Sequence, residues 1–363
     1  MKELDTKLEE IRGLLEKHGL GGLVLNRVSS FAWATCGAAS YVNTASTEGA
    51  AALLITPERR WVLTNNIEAT RIEQEEKLID QGWEIHAGPW YAAPETLSSL
   101  TGGVKLGADG PIASGVDLTA EIARLRANLT PEEGDRFRVL GRQCAEVMDN
   151  ATRAVKPGMT EFQIAALLAN EAQSRGVQAI VVLVATDDRI FSFRHPLPTE
   201  KQLDRYAMLV LCGRRYGLVC SLTRLVHFGR LPEELQQKSQ AVAQVDAAMI
   251  METRPGKTLG QIFARTEVAY TKAGFAGEWK LHHQGGPAGY EPREYIATPD
   301  SEDVIRKGQA YAWNPSITGT KSEDTILVGE SNNDVLTRIM GWPAFTIKVG
   351  DKRIDRPAIL EIT

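Results

Sequence analysis

The sequence predicts an α+β protein of two domains, a smaller α/β domain over residues 1–125 and a larger one over 126–363 built on an internal duplication. Three observations carry that expectation. The segment Lys156-Pro157-Gly158-Met159-Thr160-Glu161-Phe162-Gln163-Ile164 recurs as Arg254-Pro255-Gly256-Lys257-Thr258-Leu259-Gly260-Gln261-Ile262, 98 residues further on (256 − 158). Each copy follows a long amphipathic stretch and opens another helix. Thr160 and Thr258 stand at cap positions, with Gln163 and Gln261 three residues later to close a capping box. Two such units, each followed by strands, imply a pseudo-twofold domain with its crevice between the halves. Upstream of them, helix and strand signals alternate as in a small α/β layer. Between the two regions, Thr130-Pro131-Glu132-Glu133 offers a cap, a proline suited to the first turn and a glutamate to close the box, which puts the boundary near residue 126.

Taken in order, Leu4 to His18 has a 3.6-residue apolar period and stops at Gly19. Gly22-Leu23-Val24-Leu25, Ala50 to Ile55 and Arg60-Trp61-Val62-Leu63 read as strands. A Gly-rich stretch at Leu106 to Gly110 and a helix near Asp117 to Leu125 complete the first domain. In the second, Gly285-Gly286-Pro287-Ala288-Gly289 lacks the Lys-Ser/Thr ending of a phosphate loop, so its glycines are expected to let the backbone pass close to a substrate or to the opposite sheet.

Bulk properties narrow the partners. A net charge of −5 and a pI near 5.8 argue against a nucleic-acid surface and favour a small-molecule substrate. Cys36, Cys144, Cys212 and Cys220 are far apart and lack paired-ligand spacing, which fits a reducing compartment. Met1 to Lys17 alternates charges with Leu and Ile, unlike a secretory leader, and no run approaches the roughly 20 apolar residues of a membrane span. A cytoplasmic protein without membrane or nucleic-acid partners is expected.

The chemistry concentrates in three runs: Leu281-His282-His283-Gln284-Gly285-Gly286-Pro287-Ala288-Gly289-Tyr290-Glu291-Pro292-Arg293-Glu294, then Trp313-Asn314-Pro315, then Ser322-Glu323-Asp324-Thr325-Ile326-Leu327-Val328. Their order and spacing resemble the C-terminal half of the creatinase, Xaa-Pro aminopeptidase and methionine aminopeptidase family. The resemblance covers residues 126 to 360 well and the N-terminal domain in outline. It implies a "pita-bread" C-terminal domain, whose duplication matches the repeat, after a creatinase-like N-terminal domain. Peptidases of the family hold two metal ions with two Asp, one His and two Glu. Here only His283 and Glu323 stand at ligand positions. Asn314 takes the place of the first Glu, Ser221 that of the second Asp, and Val210 or Leu211 that of the first, in the run ending Ser221-Leu222-Thr223-Arg224. No Asp occurs from Arg205 to Gln244, so a shifted alignment cannot restore the pair. One His and one Glu cannot hold a dinuclear centre, and no metal or other cofactor is expected.

Creatinase itself hydrolyses a C–N bond without metal, and its catalytic His lies in a run like Ser192-Phe193-Arg194-His195-Pro196-Leu197-Pro198-Thr199. The resemblance therefore makes His195 the general acid/base, since an imidazole titrates near neutrality. His283 and Glu323 become its partners in chemistry, with Glu323 open to acting as an anchor or a nucleophile. Arg293 is placed to grip a substrate carboxylate in bidentate fashion. Asn314, Ser221, Thr223 and Tyr290 would make a neutral polar pocket suited to an amide, lactam or ureido group, and Thr223 in place of a carboxylate argues against creatine. Cys220 beside Ser221 reads as a buried filler. Dimers of the family also suggest a homodimer in which the N-terminal domain closes the partner's site, with Arg27, Trp33, Tyr41, Trp90 and Tyr91 available for contact in trans. The expected function is a metal-independent, creatinase-like hydrolase of a C–N bond in a small, carboxylate-bearing nitrogenous compound. An Xaa-Pro dipeptidase or aminopeptidase-like enzyme and an inactive peptidase-like binding protein are the alternatives.

Overall fold

The computed structural model describes residues 2–93 and 95–363, so Met1 of the charged N-terminal run lies outside it. The chain forms two compact units, Met1–Arg126 with Tyr216–Leu218, and Ala127–Arg215 with Val219–Thr363. No helix among the described residues is long and apolar enough to cross a membrane.

Unit one contains helices α1 (Lys2–His18), α2 (Val28–Ala34), α3 (Ala69–Gln74), α4 (Leu97–Thr101) and α5 (Thr119–Arg126). Its strands are β1 (Gly22–Arg27), β2 (Glu48–Ile55), β3 (Arg60–Asn65), β4 (Glu84–Gly88), β5 (Leu106–Ala108) and β6 (Val116–Asp117). They form one sheet in the order β4-β3-β2-β1-β5-β6. The predicted helix from Asp117 begins two residues late. Asp117 pairs with Ala108 at the sheet edge, and its carboxylate accepts from the Thr119 amide at 2.9 Å in a turn that precedes α5. Trp33 is fully buried, so packing takes up the whole ring and it cannot serve a contact in trans. Trp90 and Tyr91 are exposed and meet edge to face at 5.8 Å.

Unit two shows the duplication. The first half runs through α6 (Pro131–Ala154), α7 (Glu161–Gln173), β7 (Gln178–Thr186), α8 (Asp188–Ser192), β8 (Tyr206–Arg215) and β9 (Leu218–Phe228). The second runs through α9 (Glu233–Glu252), α10 (Leu259–Lys272), β10 (Gly285–Ala288), β11 (Ala310–Trp313), β12 (Ser316–Ile317), β13 (Thr320–Lys321), β14 (Asp324–Leu327) and β15 (Asp334–Val335). The hairpin β16 (Ala344–Val349) and β17 (Lys352–Pro357) comes next, and β18 (Leu360–Ile362) returns to pair with β9.

The repeated turns before α7 and α10 match in their local chemistry, although α9 opens at Pro232 without the side-chain cap that α6 has. Thr130, Thr160 and Thr258 each close a capping box, at the starts of α6, α7 and α10. Gly158 and Gly256 take φ of +85° and +86°, and their amides donate to Leu203 at 2.8 Å and Ile305 at 2.9 Å. Thr160 bridges to Gln202 as Thr258 does to Val304. Gly and Thr recur because each turn needs a left-handed residue followed by a side-chain cap. The two halves meet where Thr223 bridges Glu323, with the Thr223 amide donating to the Glu323 carbonyl at 3.2 Å. That bridge sets one predicted site residue against another from the opposite half.

The glycines of β10 serve packing against protein, the second of the two roles the sequence left open. A Cβ on Gly285 would lie 2.1 Å from the Ala312 carbonyl oxygen and one on Gly286 2.2 Å from that of Tyr295. Gly286→Ala is therefore expected to destabilise by about 1–3 kcal/mol or more, because backbone atoms must shift. A urea midpoint equal to the wild type would show that β10 has room the structure denies it.

Candidate active site

Three imidazoles converge in unit two. His195 lies on the loop after α8, which is tied down on both sides. The Arg194 guanidinium donates to Glu278 at 2.7 Å and to the Thr318 hydroxyl at 2.9 Å. On the other side the Thr199 amide and hydroxyl donate to the fully buried Glu161, at 2.9 and 2.7 Å, and Arg189 pairs with the same carboxylate. His282 and His283 leave a short 3-10 turn, Glu278–Leu281, in extended conformation. Buried Gln284 locks them: its amide donates to the His282 carbonyl at 2.7 Å while its oxygen accepts from the Tyr270 hydroxyl at 2.9 Å. As a result the His282 and His283 rings stack with centroids 4.4 Å apart, and the His195 ring stands 4.8 Å from one and 5.8 Å from the other.

The Nε2 atoms of His195 and His282 are 2.9 Å apart, so one donates a proton that the other accepts. A pair in that state can pass a proton along itself. The Nδ1 atoms of His282 and His283 are buried without a partner. Burial is the main cause of depressed basicity at all three; the Lys321 charge adds to it at each, and Arg293 at His195 and His283, so His195 lies below its ordinary value, His283 falls to about 4 and His282 to about 2. They are neutral at pH 7, the form that can accept a proton from water.

Glu323 sits beside them, fully enclosed. One carboxylate oxygen accepts from Arg293 Nη2 at 2.9 Å, the other from Lys321 Nζ at 2.8 Å and from the Thr223 hydroxyl at 2.5 Å. Burial alone would push this carboxyl up, but the two cations outweigh it and hold the group well below the usual carboxylate range. Two cations against one anion leave the cluster with one positive charge in excess.

This geometry corrects several expectations. The pocket is not neutral, because Lys321 enters it. Lys321 lies two residues before Glu323 in extended chain, and positions i and i+2 share a face, which was the available signal. Arg293 is not open for a bidentate carboxylate: Nη2 holds Glu323 and Nη1 donates to Ser221 at 3.1 Å and to the Pro292 carbonyl at 2.6 Å, leaving only Nε without a partner. The hydroxyls of Ser221 and Thr223 are likewise taken up within the protein, Ser221 by Arg293 and Cys212, and Thr223 by Glu323. Tyr290 is buried, and its hydroxyl donates to Glu133 at 2.6 Å, so it positions the start of α6 and is not free for a ligand. Asn314 is buried, and its Oδ1 has no partner within the protein. His282, absent from the sequence-derived set, joins it as the other half of a doublet of which only His283 had been read as functional.

The two-metal set that the resemblance implies does not fit these residues. Val210 or Leu211, Ser221 and Asn314 at three of the five positions bring no charge, and the Glu323 oxygens are already occupied by an ammonium, a guanidinium and a hydroxyl. Among the described residues, His195, His282 and His283 are the group whose ligand atoms, all within 4.8 Å of one another, could gather on an ion. Their neighbours Lys321 and Arg293 oppose a second positive charge there.

Fold and site together define a protein of the metallopeptidase class by descent, with a departure at the metal positions. The chain belongs to metallopeptidase family M24, whose model matches residues 135–330. By sequence it is similar to an uncharacterized peptidase of Staphylococcus haemolyticus, 27% identical over 232 residues, which are 61% of this chain and 65% of that protein's own length. By structure it is similar to an Xaa-Pro dipeptidase from Bacillus anthracis, with a TM-score of 0.77 at 18% identity over 99% of this chain and 100% of that one. It also resembles the dipeptidase PepE from Mycobacterium ulcerans, with a TM-score of 0.78 at 18% identity over 99% of each chain. At that identity the likeness establishes the fold: a smaller N-terminal domain before a pita-bread C-terminal domain.

Proposed function

We propose that the protein is a hydrolase of an amide-type C–N bond in a small substrate bearing a negative charge, working without the two-metal centre of its family. The observation that carries this reading is the cluster of three neutral imidazoles beside a carboxylate neutralised by Lys321 and Arg293. The protein's own cations stand where charge-neutralising metal would otherwise face Glu323. His195, the most exposed of the three, takes a proton from water and returns it to the leaving nitrogen, while His282 accepts or supplies a proton through the 2.9 Å contact. His283 and the free Asn314 oxygen hold the substrate's polar groups. The excess positive charge around Glu323 favours an anionic group such as a carboxylate. A homodimeric, cytoplasmic enzyme acting on a small molecule is part of the proposal.

A second reading has support from the comparisons. Two of the fold neighbours are dipeptidases, and a dipeptide is itself a small amide with a carboxylate, so an Xaa-Pro or related dipeptide is the alternative substrate class. One panel separates them: Xaa-Pro and other dipeptides against amidino, ureido and lactam acids, run on protein stripped with a chelator and on protein loaded with Mn, Zn or Co. The expected result is turnover that survives chelation, with less than one equivalent of metal found by elemental analysis. Two tightly held metal ions, with activity lost on chelation, would overturn the metal-free reading. No turnover in any arm would leave a binding protein on the peptidase frame.

A further inference from the structure

The two copies of the repeat differ at a buried position. Each opens its helix with a left-handed glycine and a threonine cap, but the residue after the cap is Glu161 in the first copy and Leu259 in the second, 98 positions on (259 − 161). Both side chains are fully buried. Leu259 belongs to an apolar cluster with Ile262, Ile305 and Tyr311. The turn itself therefore needs no acid, and a carboxylate taken out of water costs free energy unless donors compensate it.

Five donors do so at Glu161: one carboxylate oxygen accepts from the Thr186 amide at 2.8 Å and hydroxyl at 3.0 Å, the other from the Thr199 amide at 2.9 Å, the Thr199 hydroxyl at 2.7 Å and the Arg189 guanidinium. Thr186 ends β7, Arg189 lies in α8, and Thr199 follows His195 on the same loop. Arg189 donates as well to the Leu197 carbonyl at 3.1 Å. The carboxylate thus ties the start of α7 to the chain before and after His195. The neck of this segment is closed separately by Asp187, at φ +51°, whose carboxylate accepts from the amides of Asp204, Arg205 and Tyr206, each at 2.9 Å.

Backbone docking of the loop on the helix is common to the two copies. The Glu161 amide donates to the Lys201 carbonyl and the Leu259 amide to that of Asp303, both at 3.0 Å. The carboxylate clamp at this position is confined to the copy whose loop carries His195. What it holds is a demanding contact, since the 2.9 Å approach of the His195 and His282 Nε2 atoms weakens steeply with distance and angle.

We infer that Glu161 is a positioning residue: through Arg189 and Thr199 it keeps His195 in hydrogen-bonding register with His282. The inference rests on the reading of His195 as the acid/base, and its first readout needs no substrate. Spectra of the full chain with 15N-labelled histidine are expected to show a two-bond coupling between the two Nε2 nuclei across the N–H···N bond. Glu161→Gln keeps the side-chain length but presents one oxygen and an NH₂ group to five donors. It should abolish the coupling and lower kcat by roughly 10–100-fold with KM little changed, the scale of a misplaced catalytic group. Thr199→Val removes one hydroxyl from the loop side at constant shape. It should give smaller losses of the same kind, and it carries the test if Glu161→Gln does not fold. Leu259→Ala, at the matching place in the other copy, should lower the melting temperature and leave coupling and kcat at wild-type values. The inference fails if the wild type lacks the coupling or if the Glu161 and Thr199 variants retain it. It fails equally if Leu259→Ala abolishes the coupling too, which would reduce Glu161 to a contribution to fold stability. Turnover of no compound by the wild type would sink the hydrolytic reading alone, with the coupling still deciding what holds His195.

Discussion

His195→Ala is expected to lower turnover by about 10²–10⁴, the usual worth of a positioned general acid/base. The ring is exposed and its ring-nitrogen contact is with His282, so removing it leaves the loop anchors at Arg194 and Thr199 in place. A loss confined to kcat, with an unchanged melting curve, is the expected signature. His282→Ala should show a smaller loss, because it removes the relay but leaves the imidazole nearest to solvent. The measurement is steady-state kinetics on whichever compound of the substrate panel turns over. Full activity of His195→Ala would remove the imidazole from the mechanism, whatever the substrate proves to be.

The second large effect concerns stability. Glu323→Ala leaves the Lys321 ammonium and the Arg293 guanidinium buried with no counter-charge. Breaking such a buried cluster from one side typically costs about 3–5 kcal/mol. The urea midpoint should drop accordingly, and adding Lys321→Met should recover part of the loss by removing one stranded cation. A midpoint within ~0.5 kcal/mol of the wild type would show that water reaches these groups and that the enclosure is not real.

Acid acts on the same cluster. Glu323 is depressed in the folded state, so its contribution is present above its unfolded value and disappears as pH falls through the folded one. His282 and His283 are also depressed, from 6.5 to about 2 and about 4, so below pH 6.5 the unfolded chain binds more protons than the native one. Stability of unit two should therefore fall as pH is lowered from 6.5 toward 4, with Glu323 adding to the loss in stronger acid. A plateau across that window would show the imidazoles to be solvated.

The sequence by itself determined the scaffold of unit two and the uncharged residues Ser221 and Asn314 in its motifs. The duplicated Pro-Gly-x-Thr turn could be read without coordinates because its causes are local: a left-handed glycine and a threonine cap act within a few residues of one another. The resemblance placed Ser221 and Asn314 at ligand positions, left His283 and Glu323 as the two remaining ligands and made His195 the acid/base, all from the motifs and their spacing. What Arg293, Thr223 and Tyr290 do was decided only by the tertiary structure. Each finds its partner far along the chain, in Glu323 or Glu133, and a side chain's hydrogen-bonding capacity is exhausted by whichever group the fold brings first. The same holds for charge. Sequence placed Lys321 two residues from Glu323, but only burial of both turns that proximity into a cationic, enclosed cluster in which three imidazoles stay neutral.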